Sequence, residues 1–205
     1  FFCRILDCTK HINLKLLVNT GSFSEYIGGN DTLMPAYLYS ATKIAARSLL
    51  DYYARIRPFK QTTAVPYTIY GGLDSQKKII DYIYNSLDNP SVTNLSPGKQ
   101  VLDFIHITDV VSYYSFLVNN YDSLPHKFNF HLGTGVGTSI RQLANMLEKI
   151  TNKKANINWG GKPYRASDIM YAVAINELDV LDISWKANVS LEKGIEMYLE
   201  NHSLS

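Results

Sequence analysis

Apolar and polar residues alternate along this chain with two different periods, and their order predicts an α/β protein. An apolar run at residues 14–18 predicts a buried parallel strand that ends in the polar turn Thr20-Gly21-Ser22. Helical spacing follows over residues 39–57, and residues 62–70 predict a second strand that runs into Gly71-Gly72. The order strand, helix, strand predicts a parallel crossover unit. The expected core stripe of the helix, which Pro58 would stop, is Ile44, Leu49, Tyr52, Tyr53 and Ile56.

Shorter elements are predicted in the rest of the chain. A first helix would place Phe2, Ile5 and Leu6 on one side. A helix at residues 109–120 would be capped by Thr108. A boundary near residues 71–75 would separate the sheet from a smaller, mixed lobe. The remaining predicted elements are helices at 76–87 and from about 190 to 201, and strands or apolar stretches at 101–107, 127–133 and 155–160.

The segment HLGTGVGTSIRQLANML, residues 131–147, has the look of a phosphate-binding glycine loop that opens a helix. Its glycines fall at 133, 135 and 137, so the third lies one residue too early for the dinucleotide fingerprint G-x-G-x-x-G. No acidic residue follows about twenty residues later, where a ribose-binding carboxylate is expected. We therefore interpret the loop as the structural start of a helix capped by Thr138 or Ser139. The apolar stripe of that helix is Ile140, Leu143, Leu147 and Ile150.

Composition and charge narrow the class of protein. The 205 residues are 46% hydrophobic, and 20 basic and 18 acidic side chains are spread without runs, which argues for a packed domain without a nucleic-acid footprint. No apolar run approaches a membrane span, and no cluster predicts a metal site. Cys3 and Cys8 are five residues apart in one predicted helix, so we expect no disulfide between them and a reducing, cytoplasmic compartment.

Tyr39-Ser-Ala-Thr-Lys43 is the segment that could carry chemistry. A tyrosine and a lysine four residues apart share a helix face, so the ammonium can stabilise a phenolate that exchanges a proton with an alcohol or sugar hydroxyl. One such pair is expected by chance among 15 tyrosines, so position must carry the argument. Ser22 follows the preceding strand, and its hydroxyl and that of Tyr39 can converge on one substrate oxygen.

These residues resemble the extended short-chain dehydrogenase/reductases that modify nucleotide sugars, the NAD-dependent epimerase/dehydratase family. The segments that match are LLVNTGSFSEYIGG, YSATK, VPYTIYGG, DFIHITDVV and FNFHLGTGVGTSIRQLANML. The resemblance implies the carboxy-terminal part of a Rossmann-like doubly wound parallel sheet plus a smaller mixed α/β substrate lobe. Residues 1–72 would form a partial cofactor domain whose first strands are absent. Residues 73–205 would form mainly the substrate-binding lobe, with some segments returning to the sheet.

Specific roles follow from this resemblance. It implies a catalytic set of Ser22, Tyr39 and Lys43, and a site for NAD or NADP formed by Tyr39, Lys43, Pro66 and Tyr67. It implies a nucleotide-sugar site formed by Ser22, Thr68 and Arg165, with Arg165 matching an arginine that grips the pyrophosphate. The family's glycine-rich grip would precede Phe1, so we expect the 205-residue chain alone to bind NAD(P) poorly. A homodimer through the helix that begins at Tyr39 is also implied.

The resemblance also narrows the reaction. Family dehydratases carry Asp and Glu directly after the hydroxyl residue, whereas Phe23 and Ser24 stand here and Glu25 comes one place late. This favours 4-epimerisation of a nucleotide-linked hexose or reduction at C4. The phrase PAYLYSATK and the tail RASDIMYAVAINELDVLDISWK look most like the CDP-paratose and CDP-abequose synthase group of 4-keto reductases, which implies a place in O-antigen or polysaccharide biosynthesis.

Several departures from the family keep other readings open. Leu102 and Val65 stand where many members have arginine, and Thr68 stands where many have asparagine. A non-catalytic nucleotide-binding remnant of the same fold, or a reductase of another small carbonyl compound, therefore stays an alternative. We interpret His106 as structural, and Asp103 and Asp109 as capping or structural charges.

Overall fold

The computed structural model describes residues 2–27, 32–72, 76–175 and 185–203. Its helices are α1 (Phe2–Cys8), α2 (Leu38–Ile56), α3 (Ile79–Tyr84), α4 (Ile107–Asn119), α5 (Ile140–Thr151) and α6 (Leu191–Ser203). Its strands are β1 (Leu16–Thr20), β2 (Lys60–Pro66), β3 (Thr68–Tyr70), β4 (Thr93–Leu95), β5 (Val101–His106), β6 (Lys127–Leu132), β7 (Gly137–Ser139), β8 (Ile157–Trp159) and β9 (Tyr171–Ala172). The side chain of Phe2 and the part of the expected boundary at residues 73–75 lie outside the described residues.

A parallel sheet of order β1-β2-β6 positions the candidate site. Thr20 lies opposite Ala64, and Pro66 lies opposite Leu132, so all three strands end at the same edge. The central strand β2 is buried from Gln61 to Pro66, as expected for a strand covered on both faces. The predicted crossover through a helix is confirmed, with α2 joining β1 to β2. Loops that leave this carboxyl edge are the usual place for a ligand.

The segment predicted as one strand at residues 62–70 is two strands in different sheets, so that prediction is wrong. β2 ends at Pro66, and β3 pairs with β5 in a second sheet of order β3-β5-β7, to which β9 adds beside β5. Tyr67 lies at the crossing point, and its amide donates to the Leu132 carbonyl of the first sheet at 3.0 Å. Pro66 has no amide hydrogen to extend a ladder, which favours a break there. β4 and β8 form a separate parallel pair.

Two apolar clusters hold these layers. One packs α4 and Trp185 against the first sheet, with Tyr113 and Phe130 stacked at 4.6 Å between ring centroids. The other packs α3, α5 and α6 against β5, around Ile83, Leu143 and Tyr198. In α1, Leu6 is fully buried while Ile5 is 45% exposed, so their predicted common side is wrong. Neighbouring helical residues point about 100° apart, and this seven-residue helix turns only one of them inward.

The burial of α2 contradicts the predicted stripe. Leu49, Tyr52 and Ile56 are exposed, Ile44 and Tyr53 are half-buried, and the buried residues are Ser40, Arg47 and Leu50. The helical period was right, but Leu49, Tyr52 and Ile56 lie on the face opposite the buried residues. The polar residues turn inward because Ser40 and Arg47 have hydrogen-bonding partners in the loop after β1. The chain therefore presents an apolar helix face outward.

A histidine caps α4, so the prediction that Thr108 is the cap is wrong. The Nδ1 atom of His106 accepts from the Thr108 amide at 3.4 Å, and Thr108 lies inside the helix. The structural interpretation of Asp109 agrees with its contacts, because its carboxylate accepts from the amides of Asn188 and Val189 at 3.1 and 2.9 Å.

Candidate active site at the carboxyl edge of the parallel sheet

Ser22 begins a 3-10 turn directly after β1, and its backbone and side chain are both fixed. Its amide donates to Oε1 of Glu25 at 2.6 Å, and its Oγ accepts from the Ser24 amide at 3.3 Å. This is the reciprocal arrangement of a capping box, with Ser22 as the cap. The turn holds the Ser22 hydroxyl at the carboxyl edge of the sheet.

The first turns of α2 bring Lys43 to the same edge. Lys43 Nζ donates to the Thr20 carbonyl at 2.9 Å, and it lies 5.4 Å from the centre of the Tyr39 ring. The ammonium thus connects the end of β1 with the tyrosine, as expected from their spacing. Tyr39 is 51% exposed, and its hydroxyl has no hydrogen-bond partner in the described part of the chain. That hydroxyl is therefore accessible to a ligand.

A chain of three serine hydroxyls connects the Ser22 turn to α2. Ser40 Oγ donates to Ser24 Oγ at 2.8 Å, and Ser24 Oγ lies 2.8 Å from Ser22 Oγ. Ser24 and Ser40 are fully buried. Because Ser40 follows Tyr39 in the helix, this chain fixes the Ser22 turn against the helix residue next to the tyrosine.

A buried ion pair makes a second connection between the same two elements. Nη2 of Arg47 lies 2.8 Å from Oε2 of Glu25, and the Glu25 side chain is fully buried. The guanidinium carbon lies 5.5 Å from the centre of the Tyr26 ring. Burial raises the pKa of Tyr26 above its usual value, so Tyr26 stays a neutral phenol under this pair.

Tyr67 lies beside this turn, at the break between the sheets. Its ring stacks on Phe23 at 5.6 Å between centroids, and its hydroxyl lies 3.2 Å from Nδ1 of His131. Burial raises the Tyr67 pKa far above its usual value, so the group stays neutral. Pro66 is buried in β2. Thr68 begins β3, opposite Phe104, with its hydroxyl buried.

Two cavities adjoin the turn and share Phe23 and Ile169. A cavity of about 440 Å³ contains Arg165 in its wall, and Leu102, the residue that replaces a family arginine, lines it too. The Arg165 side chain is exposed and forms no ion pair within the described residues. The second cavity, of about 590 Å³, is lined by Tyr67 and by apolar residues near β9. The first is of the size that small-molecule sites occupy.

The structure brings part of the predicted site together. Four of the predicted residues lie around the end of β1: Ser22, Tyr39, Lys43 and Tyr67. Arg165 lies in the wall of the adjoining cavity, which Phe23 also lines. The hydroxyl of Thr68 is buried, and Thr68 lines neither of the two cavities described above.

The glycine loop at residues 133–137 forms an anion nest, but the chain's own Asp103 fills it. The buried carboxylate accepts from the Thr134 and Gly135 amides at 2.9 and 2.8 Å and from the Thr134 hydroxyl at 2.6 Å. Ser139 then caps α5 reciprocally with Gln142. The interpretation of this loop as a structural helix start, with Ser139 as the cap, is confirmed.

Sequence reasoning missed the groups that hold the site. Ser40, Arg47 and His131 were not singled out, and Ser24 and Glu25 were noted only for their positions. The spacing Ser22-x-x-Glu25 carried a capping-box signal. The four-residue repeat Tyr39, Lys43, Arg47 also placed the arginine on the helix face of the candidate catalytic pair.

The described residues contain neither a metal-binding cluster nor a membrane-spanning helix. No group of three histidine, cysteine, aspartate or glutamate side chains lies close enough there to hold a metal ion. None of the helices within those ranges is long and apolar enough to cross a membrane. Cys3 and Cys8 are free thiols, Cys3 half-buried and Cys8 exposed.

Comparison with known proteins gives a consistent family assignment. A family model described as "NAD dependent epimerase/dehydratase family" matches residues 2–133, which is more than half of the chain. CDP-abequose synthase from Salmonella typhimurium is 28% identical over 96% of this chain and 66% of that protein. CDP-abequose synthase from Yersinia pseudotuberculosis is 26% identical over 81% of this chain and 58% of that protein. The chain thus spans less than two thirds of these relatives.

Solved structures show the fold. The structure titled "MoeE5 in complex with UDP-glucose and NAD" superposes with a TM-score of 0.83 at 22% identity, covering 100% of this chain and 71% of that chain. At this identity the likeness concerns the fold. The predicted Rossmann-like α/β fold class is confirmed.

Proposed function

Because the chain belongs to the NAD-dependent epimerase/dehydratase family, we propose that the full-length protein reduces or epimerises a nucleotide-linked hexose at C4. One observation carries the proposal. The Ser22 turn, the ammonium of Lys43 and the accessible Tyr39 side chain meet at the carboxyl edge of the parallel sheet, beside the cavity that holds Arg165. The resemblance to the CDP-abequose synthase group of 4-keto reductases favours reduction over epimerisation, and two CDP-abequose synthases are among the matching proteins.

Each side chain has a role in this reaction. Tyr39 transfers the proton to or from the C4 oxygen, since its hydroxyl has no partner among the described residues and is free to reach substrate. Ser22 orients that oxygen through its hydroxyl. Lys43 holds ribose hydroxyls and stabilises negative charge on Tyr39. The nicotinamide supplies or accepts the hydride when it is bound.

The residues at the sheet edge fit the nicotinamide end of such a cofactor. Lys43 reaches the end of β1 and can donate to a ribose there. Tyr67 lines a cavity just after β2, and Pro66 is buried within that strand. The glycine loop before α5 does not fit the pyrophosphate, because Asp103 occupies its amides. We therefore propose that the pyrophosphate of the cofactor binds outside this loop.

Dehydration is disfavoured by the state of Glu25. Elimination of water needs an acid and a base next to the sugar. The two positions after Ser22 are Phe23 and Ser24, and the Glu25 carboxylate is fully buried and paired with Arg47. No carboxylate of this turn can reach a sugar, which leaves proton transfer to Tyr39.

Substrate recognition centres on Arg165. Its guanidinium can contact a pyrophosphate with two hydrogen bonds, and the cavity beside it also presents Ser96 and Gln100 for a sugar or a base. Leu102 adds an apolar wall where a second cation would strengthen the contact. We propose a nucleoside-diphosphate sugar held by one arginine in this cavity, with Thr68 outside it.

We further propose that the protein is a homodimer through α2 and works in the cytoplasm. The outward face of α2 carries Leu49, Tyr52 and Ile56, all exposed, which is the kind of stripe that pairs helices. Sedimentation of the full-length protein should give twice the chain mass. An Ile56→Glu variant should sediment as a monomer, and a monomeric wild type would contradict the dimer.

A turnover assay tests the proposed function. Full-length protein is incubated with NADH or NADPH and a panel of 4-keto nucleotide hexoses, and with NAD and the corresponding 4-hydroxy sugars, and products are identified by NMR. We expect conversion at C4 only. A Lys43→Met variant should lose both cofactor affinity and rate, whereas Lys127→Met, which removes a half-exposed ion pair with Asp51, should keep both. Binding of these sugars without turnover would support the non-catalytic remnant instead.

A further inference from the structure

The helix that carries Tyr39 and Lys43 carries a second cation, Arg47, four residues after Lys43, and the side chain of Arg47 is buried. Lys43 Nζ contacts the Thr20 carbonyl at the end of β1. Arg47 contacts Glu25 at the end of the turn that follows β1. Glu25 in turn accepts the amide of Ser22, the first residue of that turn. The two carboxylate oxygens of Glu25 have different partners. Oε1 accepts from the Ser22 amide, and Oε2 accepts from Arg47 on α2.

Stability alone does not explain this pair. The desolvation of two buried charges roughly cancels their attraction, and a buried ion pair is replaceable by apolar residues without loss of stability. Here Nε and Nη1 of Arg47 find no hydrogen-bond partner among the residues that the structure describes. The guanidinium therefore contacts one oxygen of Glu25 and the face of the Tyr26 ring. The ion pair therefore fixes the position of Glu25 relative to α2, although it leaves hydrogen-bond donors of Arg47 unused.

The backbone of Gly21 makes room for this contact. A Cβ at residue 21 would lie 2.6 Å from Oε1 of Glu25, closer than real Cβ atoms come, and 3.2 Å from Nη2 of Arg47, which is a tight contact. A side chain at residue 21 would therefore displace the carboxylate from its position under Ser22. The link between helix and turn is packed from both sides.

We propose that Glu25 and Arg47 are a positioning pair, which sets the Ser22 hydroxyl relative to Tyr39 and Lys43 and so supports catalysis without touching substrate. The inference rests on the proposed function and adds two residues to it. Tyr39 and Ser22 lie on separate elements, and their relative position needs a rigid cross-link because displacement by about 1 Å can cost a hundredfold in rate. The serine chain through Ser24 and Ser40 holds the side chain of Ser22, and the ion pair holds its backbone.

The test uses the full-length protein and four variants. Glu25→Gln keeps the shape and removes the charge, and Arg47→Met removes the partner. The charge-inverted double variant, Glu25→Arg with Arg47→Glu, restores opposite charges but leaves no carboxylate in the turn. Asp51→Asn is the matched control, since it removes a carboxylate on α2 that binds Lys127 and Gln61 away from the site. Each variant is measured for kcat, KM, melting temperature and hydrogen exchange of the Ser22 amide.

We expect kcat to fall by about ten- to a hundredfold in Glu25→Gln and Arg47→Met, with KM unchanged and the Ser22 amide exchanging faster. The inverted pair should regain thermal stability but not kcat. A purely structural pair would instead lower only the melting temperature, with kcat and Ser22 amide exchange at the wild-type level in every variant. Unchanged kcat and Ser22 exchange in folded Glu25→Gln would overturn the proposal. If the wild type turns over no nucleotide sugar, the proposed function fails, and Ser22 exchange alone decides whether the pair positions the turn.

Discussion

The starts of α5 and α2 are opposite cases. At α5, Ser139 and Gln142 cap each other, and the preceding loop gives its amides to Asp103. At α2, Tyr37 in the cap position makes no side-chain capping bond, Leu38 is 82% exposed, and Tyr39 is half exposed. Helix starts normally satisfy their free amides, as α5 does.

This difference separates a structural loop from a candidate catalytic one. The α5 start looks like a nucleotide site in the sequence, but the Thr134 and Gly135 amides of its loop already donate to Asp103. The α2 start has no side-chain cap, and the Tyr39 hydroxyl there is available to a ligand. Departures from local rules tend to fall at functional sites, because such sites keep groups unpaired for a ligand. The four predictions below test that separation.

The largest expected effect is on the rate after Tyr39→Phe. Loss of a general acid should lower kcat by about 10² to 10⁴-fold, while the melting temperature stays that of wild type because the hydroxyl has no partner among the described residues. Tyr52→Phe is the matched control, since Tyr52 lies on the same helix and is also 51% exposed. Equal activity of Tyr39→Phe and Tyr52→Phe would remove the catalytic role of the α2 start.

Asp103→Asn should give the largest loss of stability. An amide in place of the carboxylate leaves some of the Thr134, Gly135 and Ala174 amides without an acceptor, so unfolding should need about 2–3 kcal/mol less. Urea denaturation measures the difference. Asp88→Asn, which alters an exposed contact with Lys153, should cost less than about 1 kcal/mol. Equal losses in the free energy of unfolding for the two variants would show that the contacts of Asp103 with the loop stabilise the protein no more than an exposed ion pair does.

Ser139→Ala should have a smaller effect, confined to stability. Loss of the cap should lower the free energy of unfolding by about 1 kcal/mol, with kcat and KM unchanged. Ser139→Asp keeps an acceptor for the Gln142 amide and should restore stability. A change in KM for the nucleotide sugar after Ser139→Ala would mean that this helix start takes part in binding after all.

The smallest effect is expected from the cap of α4. Burial lowers the pKa of His106, so the folded state binds its proton less readily than the unfolded state. The contribution of His106 to stability is therefore complete above the unfolded value, about 6.5, and is lost as pH falls from there through the folded pKa. His106→Gln should show a flatter decline in stability between about pH 7 and pH 5. Identical slopes for the two proteins would refute this role of His106.

Local sequence signals predicted α5, its cap and its stripe, because Ser139, Gln142 and the spaced apolar residues act within one helix. The same kind of reasoning located α2 correctly along the chain. The face that it predicted to be buried, however, lies about half a turn away from the face that is buried. Burial there is decided by Glu25 and Ser24, which lie in a different element and give Arg47 and Ser40 a reason to face inward. Helical periodicity contains no information on such partners.

The candidate site was predictable in part for the same reason. Ser22, Tyr39 and Lys43 follow from spacing and position together with the family resemblance, and Arg165 follows from the resemblance alone. The structure places the first three around the end of β1. The break at Tyr67 was not predictable from an apolar run that reads as one strand, because pairing with β6 and β5 in two sheets decides it.

Isotope transfer to C4 tests the central claim most directly. Full-length protein is incubated with 4-deuterated NADH or NADPH and a panel of 4-keto nucleotide hexoses, and the sugar product is examined by NMR. Our account predicts deuterium at C4, formed by wild type and by Tyr52→Phe and strongly slowed in Tyr39→Phe. A wild-type product without deuterium at C4, or transfer that Tyr39→Phe leaves at the wild-type rate, would contradict it.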